Sequence, residues 1–212
     1  MAPSKEFDFD TGQWVGASPD KKQVTLCVAG DWAPIRAFSR IIEKTPDKIY
    51  GDLLPRIQAA DFSLVNLEAP LSSSGQPAVK SGSVFKGKKT HVKALEAVPF
   101  SGVTLANNHV LDYGPRAFDE TLKALDQAKI KRVGAGRNRD EAFTPLVLRK
   151  NGLRIGIVNF SEAEDMTHAR SDGPGVAGWD LDRLEARIRM LREKVNCIVA
   201  IAHCGIEYIP FP

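Results

Sequence analysis

The sequence predicts an α/β fold in which helices flank a largely parallel sheet. Short apolar runs, such as residues 62–67 and 197–202, alternate along the 212 residues with segments whose apolar residues recur at helical spacing. Strands that alternate with helices usually form a parallel sheet with helices on its faces. A hydrophobic fraction of 43% and a charged fraction of 26% are typical of one globular domain with a sizeable core.

The individual elements follow from the same patterns. Residues 1–22 are polar and are predicted to form an irregular N-terminal arm, and residues 23–212 are predicted to form one domain. Strands are predicted at residues 23–29, 62–67, 102–106, 131–133 and 197–202, with a hairpin at residues 145–160. Helices are predicted at residues 35–44, 52–60, 91–98, 115–128 and 181–191.

Turn, cap and loop residues support several of these boundaries. Asn151 and Gly152 stand between two apolar runs, and this pair is the strongest short signal for a hairpin. Asp180 or Asp182 is available to cap the last helix. Residues 72–90 are rich in Ser, Gly, Lys and Pro and predict a long loop, and loops of this length are usually functional or mobile.

The charge of the chain disfavours a nucleic-acid partner. The net charge is +3, whereas nucleic-acid binders usually present a clustered basic face. The densest basic stretch is at residues 85–89, with the sequence Phe-Lys-Gly-Lys-Lys. It is either a solvated loop or a landing site for an anionic substrate.

Cysteine usage and the first residues bear on the compartment. Cys27 and Cys197 lie in apolar runs and are expected to be buried, and with Cys204 they form no C-x-x-C pair, so we expect no disulfide framework. Residues 1–22 lack the apolar centre of a signal peptide, and no apolar stretch approaches the ~20 residues of a membrane span. The expected location of the chain as written is the cytoplasm.

Polar residues follow the predicted strands at the points where the strands end. In α/β sheets the site lies beyond the carboxyl ends of the strands, so we expect these side chains to converge on one rim. Carboxylate, amide and imidazole groups are suitable ligands for divalent Mn, Fe, Zn or Mg. A metal-activated water would be the nucleophile of such a site, and a nearby imidazole would donate a proton. The residues in these positions are Asp31, Glu68, Asn108, His109 and His203.

Each of these residues also has a purely structural interpretation. Asp31 is equally suited to cap the following helix, and Asn107 and Asn108 are equally suited to a turn. A lone histidine such as His203 is more often a satisfied core residue than a ligand. The remaining candidates also have turn, cap or surface interpretations: Asn66, Glu68, Asp112 and Glu207.

Four segments together point to a known family. The most specific is Ala-Asn-Asn-His-x-x-Asp-x-Gly at residues 106–114, and His-x-Gly-x-Glu-Tyr follows at residues 203–208. The other two are Gly-Asp-Trp at residues 30–32 and Val-Asn-Leu-Glu-Ala-Pro at residues 65–70. In order and approximate spacing, these segments resemble the CapA family of capsule and poly-γ-glutamate synthesis proteins.

This resemblance implies a divergent calcineurin-type metallophosphoesterase, which is a layered sheet sandwich flanked by helices. It implies that His109 is the catalytic imidazole and that Glu68 takes the place of the bridging carboxylate. The metal ligands that it implies are Asp31, Glu68, Asn108 and His203. The residues expected to bind substrate or to support the ligands are Asn66, Asn107, Asp112 and Glu207.

The chain departs from the family pattern in two places. Phosphoesterases of this kind usually carry Asp-x-His on the first strand, whereas Trp32 and Ala33 follow Asp31 here, so one ligand is missing. The family continues to a later Gly-x-His-x-His-like segment, whereas this sequence stops at Pro212. We therefore expect a truncated domain in which the C-terminal strands and at least one histidine ligand are missing.

Three functional hypotheses follow. The first is a capsule or poly-γ-glutamate synthesis protein with a metal-dependent hydrolase site, which acts on a phosphoester or an anionic polymer with Mn, Fe or Zn as cofactor. The second is a non-catalytic protein of capsule assembly that binds polymer or a partner in the synthesis machinery. The third is a general cytosolic metallophosphatase.

Overall fold

Two larger sheets organise the part of the chain that the structure describes. This structure is a computed structural model, and it describes residues 6–8, 13–15, 23–162 and 165–205. The strands are β1 (Glu6–Asp8), β2 (Gln13–Val15), β3 (Leu26–Trp32), β4 (Phe62–Leu67), β5 (Gly102–Thr104), β6 (Arg132–Val133), β7 (Ala135–Gly136), β8 (Leu146–Lys150), β9 (Leu153–Ser161), β10 (Gly175–Val176) and β11 (Cys197–His203). The helices are α1 (Ala37–Lys44), α2 (Leu54–Ala59), α3 (Val92–Glu96), α4 (Gly114–Gln127), α5 (Arg139–Ala142) and α6 (Leu181–Arg192), and there are 3₁₀ helices at Pro46–Leu53, Lys89–His91 and Asp165–Thr167.

The strands divide between a parallel sheet and a mixed sheet. The parallel sheet has four strands in the order β3-β4-β5-β6. The mixed sheet has the order β11-β9-β8, in which β11 runs parallel to β9 and β8 runs antiparallel to it. The apolar pattern predicted a largely parallel sheet, and the family resemblance implied a layered sheet sandwich. The apolar pattern of a strand does not depend on which of the two sheets it joins. The pattern therefore does not reveal that the strands divide between two sheets.

Apolar side chains fill the layer between the two sheets and the layers outside them. Leu64 of β4 packs in one cluster with Ile157 of β9, between the sheets. Leu122 of α4 belongs to the largest core cluster, which also includes side chains of β4 and β5. A Cβ atom at Gly156 would lie 2.5 Å from Leu191 Cδ2, so α6 packs closely on the mixed sheet. The result is a layered sheet sandwich flanked by helices, which confirms the predicted fold class.

β3 extends further toward its carboxyl end than the sequence predicts. The strand ends at Trp32, and Asp31 therefore lies inside it and not beyond it. Its pairing with β4 shifts register between Val28 and Asp31, which is the signature of a bulge. A Gly-Asp pair after an apolar run has the composition of a turn, and for this reason the predicted strand ended before Gly30.

Two other predicted segments differ in detail. The helix predicted at residues 52–60 is a 3₁₀ helix (Pro46–Leu53) followed by α2, and Gly51, with a φ of 49°, separates helical turns within the 3₁₀ segment. In the N-terminal arm that was predicted to be irregular, β1 and β2 pair as antiparallel strands.

Cys197 is exposed, so its predicted burial is wrong. In the described part of the chain β11 forms the edge of its sheet, and every residue of the strand is exposed or half-buried. An apolar run alone does not distinguish an edge strand from a central one. Cys27 is partly buried against the main core, and all three cysteines are free thiols.

The predicted hairpin and the last helix cap are confirmed. Asn151 and Gly152 have φ values of 52° and 77° and connect the antiparallel strands β8 and β9. The Asp180 side chain accepts a hydrogen bond from the Arg183 backbone N–H at the start of α6. Among the described residues, no helix combines the length and the apolar character that crossing a bilayer requires.

Candidate metal centre

The ends of three strands bring two carboxylates and an imidazole together. Asp31 lies near the end of β3, Glu68 directly follows β4, and His203 is the last residue of β11. One ligand atom from each lies within 4.8 Å of the other two. His203 comes from the mixed sheet and the carboxylates from the parallel sheet, so this group, which we name the Asp31 cluster, joins both sheets.

The separations within the Asp31 cluster are longer than hydrogen bonds. His203 Nδ1 lies 3.8 Å from Asp31 Oδ1, and His203 Nε2 lies 3.6 Å from Glu68 Oε1. The Asn108 side-chain oxygen lies 3.2 Å from His203 Nε2 and adds a further oxygen beside the cluster. The four residues that the sequence predicted as metal ligands are therefore neighbours.

Asn66 contacts two members of the Asp31 cluster. Its Nδ2 donates to Asp31 Oδ1 at 2.7 Å and lies 3.4 Å from His203 Nδ1. Its Oδ1 accepts from the Thr104 hydroxyl at 3.2 Å and from Asn107 Nδ2 at 3.1 Å. Asn66 thus orients Asp31, and its own orientation is set by two buried donors.

Asn107 shapes the turn that presents Asn108 and His109. Its side chain is fully buried, and its Oδ1 accepts from the backbone N–H groups of His109 and Val110 at 3.0 and 2.9 Å. Its Nδ2 also donates to the Leu67 carbonyl at 2.9 Å. These contacts make Asn107 a structural residue of the site, which explains why an asparagine precedes Asn108.

A buried network holds the imidazole of His109. His109 Nδ1 lies 2.6 Å from Asp112 Oδ2, and the other oxygen of Asp112 lies 2.6 Å from Lys80 Nζ. Lys80 Nζ also donates to the Asn108 carbonyl at 2.9 Å. Lys80 gives the Asp112 carboxylate a cationic partner, and Asp112 Oδ2 is placed to accept a hydrogen bond from a proton on His109 Nδ1.

The long loop predicted at residues 72–90 closes over this imidazole. The Phe85 ring stacks on the His109 ring with centroids 3.8 Å apart, and the Phe85 backbone N–H donates to Asp112 Oδ2 at 2.7 Å. We name His109, Asp112, Lys80 and Phe85 the His109 network. The first turn of the loop is held by Glu120, which accepts from the Ser74 and Ser72 hydroxyls at 2.5 and 2.8 Å.

The chain matches a known sequence family over most of its length. Residues 25–212 match the family described as "Bacterial capsule synthesis protein PGA_cap". The chain belongs to this family. The match covers every described residue of the Asp31 cluster and of the His109 network.

Two Bacillus proteins are among the relatives of this family member. The capsule biosynthesis protein CapA of Bacillus anthracis is 26% identical over 199 residues, which are 89% of this chain and 48% of that protein. The PGA biosynthesis protein CapA of Bacillus subtilis is 26% identical over 183 residues, which are 84% of this chain and 48% of that protein. The chain therefore spans about half the length of these relatives.

A third relative and a solved structure extend the comparison. A probable polyglutamine synthesis accessory protein of Mycobacterium tuberculosis is 33% identical over 134 residues, 60% of this chain and 35% of that protein. The crystal structure of a putative 5'-nucleotidase from Staphylococcus aureus in complex with α-ketoglutarate aligns with a TM-score of 0.53 and 16% identity, covering 87% of this chain and 38% of its own. This likeness supports a metallophosphoesterase-like fold.

Sequence reasoning missed three residues that build the site of this family member. Lys80 and Phe85 lie in the loop and contact the site over long sequence distances, so no local pattern marks them. Asn159 Oδ1 accepts from the backbone N–H groups of Leu105 and Ala106, and its Nδ2 donates to the Ile201 carbonyl. Asn159 is buried. The signal in the sequence that could have identified it is an asparagine within the apolar run of β9.

The basic stretch at residues 85–89 is largely engaged within the protein. Lys88 pairs with Glu43, and the Lys86 ammonium lies 4.1 Å from the centre of the Tyr113 ring. These contacts favour the interpretation of this stretch as an ordinary loop over that of an anion landing site.

Burial sets the protonation of His203. Removal of the ring from water lowers the pKa of His203 below its ordinary value, and this effect outweighs the opposing attraction of Asp31. The imidazole is therefore neutral at pH 7, and neutral imidazole is the form that coordinates a metal ion. The predicted supporting residue Glu207 lies outside the described residues.

Proposed function

We propose that this chain carries a metal-dependent phosphoesterase site that serves the synthesis of capsule or poly-γ-glutamate. The observation that supports it most is the convergence of Asp31, Glu68 and His203, whose ligand atoms lie within 4.8 Å of one another at the strand ends. Family membership and the names of the Bacillus relatives support the biosynthetic role.

The residues present suit a divalent cation. Two carboxylates, one neutral imidazole and one amide oxygen are a mixed oxygen and nitrogen set, which favours Mn, Fe or Zn. Asp31, Glu68, Asn108 and His203 would hold the ion. When bound, it would polarise a phosphoryl oxygen and make a water molecule acidic enough to attack at neutral pH.

The His109 network would handle the proton of the leaving group. Asp112 accepts the Nδ1 proton of His109 and so fixes the tautomer, which leaves Nε2 to receive and release a proton. Phe85 covers one face of the imidazole and limits its contact with water. Lys80 balances the charge of Asp112, which keeps this carboxylate from being a lone buried anion.

Turnover measurements test this proposal. The Mn²⁺-loaded chain is assayed with bis-p-nitrophenyl phosphate and with poly-γ-glutamate, beside the variants His109→Gln and His91→Gln. His91 is a second buried histidine outside the cluster and is the matched control. We expect His109→Gln to abolish chelator-sensitive turnover with metal content unchanged and His91→Gln to retain it. Equal activity of the two variants would contradict the mechanism.

One sequence feature favours a second candidate function. Ala33 stands where related phosphoesterases usually carry a histidine, so the first strand offers a single ligand, Asp31. In this alternative the fold binds an anionic polymer or a partner of the synthesis machinery without turnover. Polymer binding that is unaffected by a chelator would favour it, whereas chelator-sensitive hydrolysis would exclude it.

A further inference from the structure

Positive charge is concentrated around α1. Residues 36–48 and 86–93 together carry eight cationic side chains and two carboxylates, a net charge of +6 with histidine neutral. The rest of the chain carries 21 cationic and 24 anionic side chains, a net charge of −3. The small overall charge of +3 is therefore distributed very unevenly.

Two contacts hold the second of these segments against α1. Lys88 forms a salt bridge with Glu43, and the Ser39 hydroxyl lies 3.2 Å from His91 Nε2. The salt bridge also neutralises Glu43, which is one of the two carboxylates in the region. The cations of α1 that remain are thus left in a region with little negative charge.

Three cations at α1 form a row that faces water. Arg40 and Lys44 are four residues apart and lie on the same side of α1, and Arg36 precedes the helix at its cap position. All three are exposed, and among the described residues none of them has a carboxylate within salt-bridge distance. We name Arg36, Arg40 and Lys44 the α1 row. Like charges at this spacing repel one another, so an anion that contacts several of them relieves the repulsion.

Arg36 also holds a strained backbone conformation. Its φ of 53° and ψ of −126° are the combination that glycine usually supplies in a type II′ turn. A larger residue held in this conformation costs stability, and such residues cluster at functional positions. In the part of the chain that the structure describes, no hydrogen bond or ion pair of the Arg36 side chain offsets this cost. The strain therefore favours a ligand contact made by the guanidinium itself.

The spacing of the α1 row fits a chain of carboxylates. Four residues of helix rise by about 6 Å, which is the step between Arg40 and Lys44 along α1. A γ-linked glutamate chain carries one free carboxylate for every five backbone atoms, which span roughly 6 Å when extended. Neighbouring carboxylates of such a polymer can therefore contact neighbouring cations of the row.

We infer that the α1 row is a docking surface for an anionic polymer that carries one carboxylate per repeat. The choice of poly-γ-glutamate as this polymer rests on the proposed function. The position of the surface rests on the unpaired cations and on the strained Arg36, and it requires no metal ion.

Polymer binding by charge-changed variants tests this inference. Fluorescein-labelled poly-γ-glutamate is titrated with the metal-free chain in the presence of a chelator, and fluorescence anisotropy follows the binding. We expect Arg40→Gln/Lys44→Gln to bind about tenfold more weakly, because two exposed ion pairs are lost. Arg192→Gln/Lys194→Gln is the matched control, since it removes the same charge from exposed positions at the end of α6, and it should bind like the wild type.

A single variant tests the role of Arg36. Arg36→Gly removes the guanidinium and relieves the backbone, so it should weaken polymer binding about threefold while it raises the urea midpoint of unfolding. Loss of binding together with a gain of stability would support a ligand contact by Arg36, because a structural role predicts a loss of stability.

A second polyanion tests the chemistry of the partner. A labelled single-stranded oligonucleotide is titrated in the same way, and we expect it to bind more weakly than poly-γ-glutamate. Metal-independent polymer binding that needs the α1 row supports the inference even if the chain shows no phosphoesterase turnover, so the two proposals fail separately. No polymer binding by the wild type, equal loss in the α6 control, or tighter binding of the oligonucleotide would overturn the inference.

Discussion

The Asp31 cluster and the His109 network lie side by side but are built in opposite ways. The side chains of Asp31, His203 and Glu68 are 54%, 26% and 15% exposed, and their mutual separations exceed hydrogen-bond length. In the His109 network, by contrast, Lys80 and Asp112 are 9% and 1% exposed and lie 2.6 Å apart. The charged groups of the His109 network are paired with one another. In the Asp31 cluster, by contrast, two carboxylates and a neutral imidazole surround one position without pairing closely.

This contrast assigns different tasks to the two regions. A buried, satisfied network holds one geometry and contributes to stability. An open group of ligands contributes little to stability until an opposite charge joins it.

Loss of Asp112 should have the largest effect. Asp112→Ala leaves the Lys80 ammonium buried without its partner, and breaking a buried pair in this way costs about 3–5 kcal/mol of unfolding free energy. Urea denaturation measures this loss. The double variant Lys80→Met/Asp112→Leu should recover much of it, and Asp126→Ala, which removes an exposed carboxylate, is the control. A loss below about 1 kcal/mol would show that the network does not carry stability.

Asn66 joins the two regions, so its removal should affect both at a smaller scale. Asn66→Ala takes the acceptor from Thr104 and Asn107, which should cost about 1–3 kcal/mol. It also takes the Nδ2 donor from Asp31, which should weaken Mn²⁺ binding about 10–100-fold. Denaturation and calorimetry measure the two effects. Asn196→Ala, at the far end of the sheet, should leave Mn²⁺ affinity unchanged, and equal loss in both variants would contradict this role.

The anchor of the loop should respond to pH. Hydrogen bonds from the Ser74 and Ser72 hydroxyls lower the pKa of Glu120 to about 2 from the ordinary 4.5. A lowered carboxyl pKa contributes stability that is present above pH 4.5 and is lost as the pH falls toward 2. The stability difference between the wild type and Glu120→Gln should therefore shrink between pH 6 and pH 3. The exposed Glu193→Gln serves as control, and a difference that grows at low pH would refute the anchor.

The smallest effect is expected in the open cluster. Asp31→Asn in the metal-free chain should change the unfolding free energy by less than about 0.5 kcal/mol, because Asp31 is exposed and, among the described residues, its side chain is hydrogen-bonded to Asn66 alone. Denaturation in the presence of a chelator measures it. A loss of several kcal/mol would mean that the cluster is a structural element like its neighbour.

The sequence predicts the Asp31 cluster better than the His109 network, because the cluster is built from strand ends and the network depends on a distant loop. The carboxyl ends of parallel strands meet at one edge, so an apolar run followed by a polar residue located Asp31, Glu68, Asn108 and His203 without knowledge of strand order. The local pattern could not show Lys80, because it reaches Asp112 from a loop 32 residues earlier in the chain. Tertiary pairing of this kind leaves no periodicity in sequence.

In the fold as well, features that depend on adjacent residues were predicted from the sequence, whereas features that depend on distant residues were not. The Asn151-Gly152 turn follows from the chemistry of adjacent residues and was correctly predicted, and Asp180 is one of the two caps that the sequence offered for the last helix. The division into two sheets and the exposure of Cys197 depend on which strands become neighbours. The roles of the site residues depend further on a bound ion, so they stay predictions.

Metal content tests the central claim most directly. The chain is incubated with Mn²⁺ or Zn²⁺, dialysed and analysed by elemental mass spectrometry beside Glu68→Gln, His203→Ala and the control Asp126→Asn. We predict at least one retained ion per chain in the wild type and in the control, and a loss of that ion in both cluster variants. Retention that is equal in all four proteins, or no retention in the wild type, would contradict the assignment of the Asp31 cluster as a metal centre.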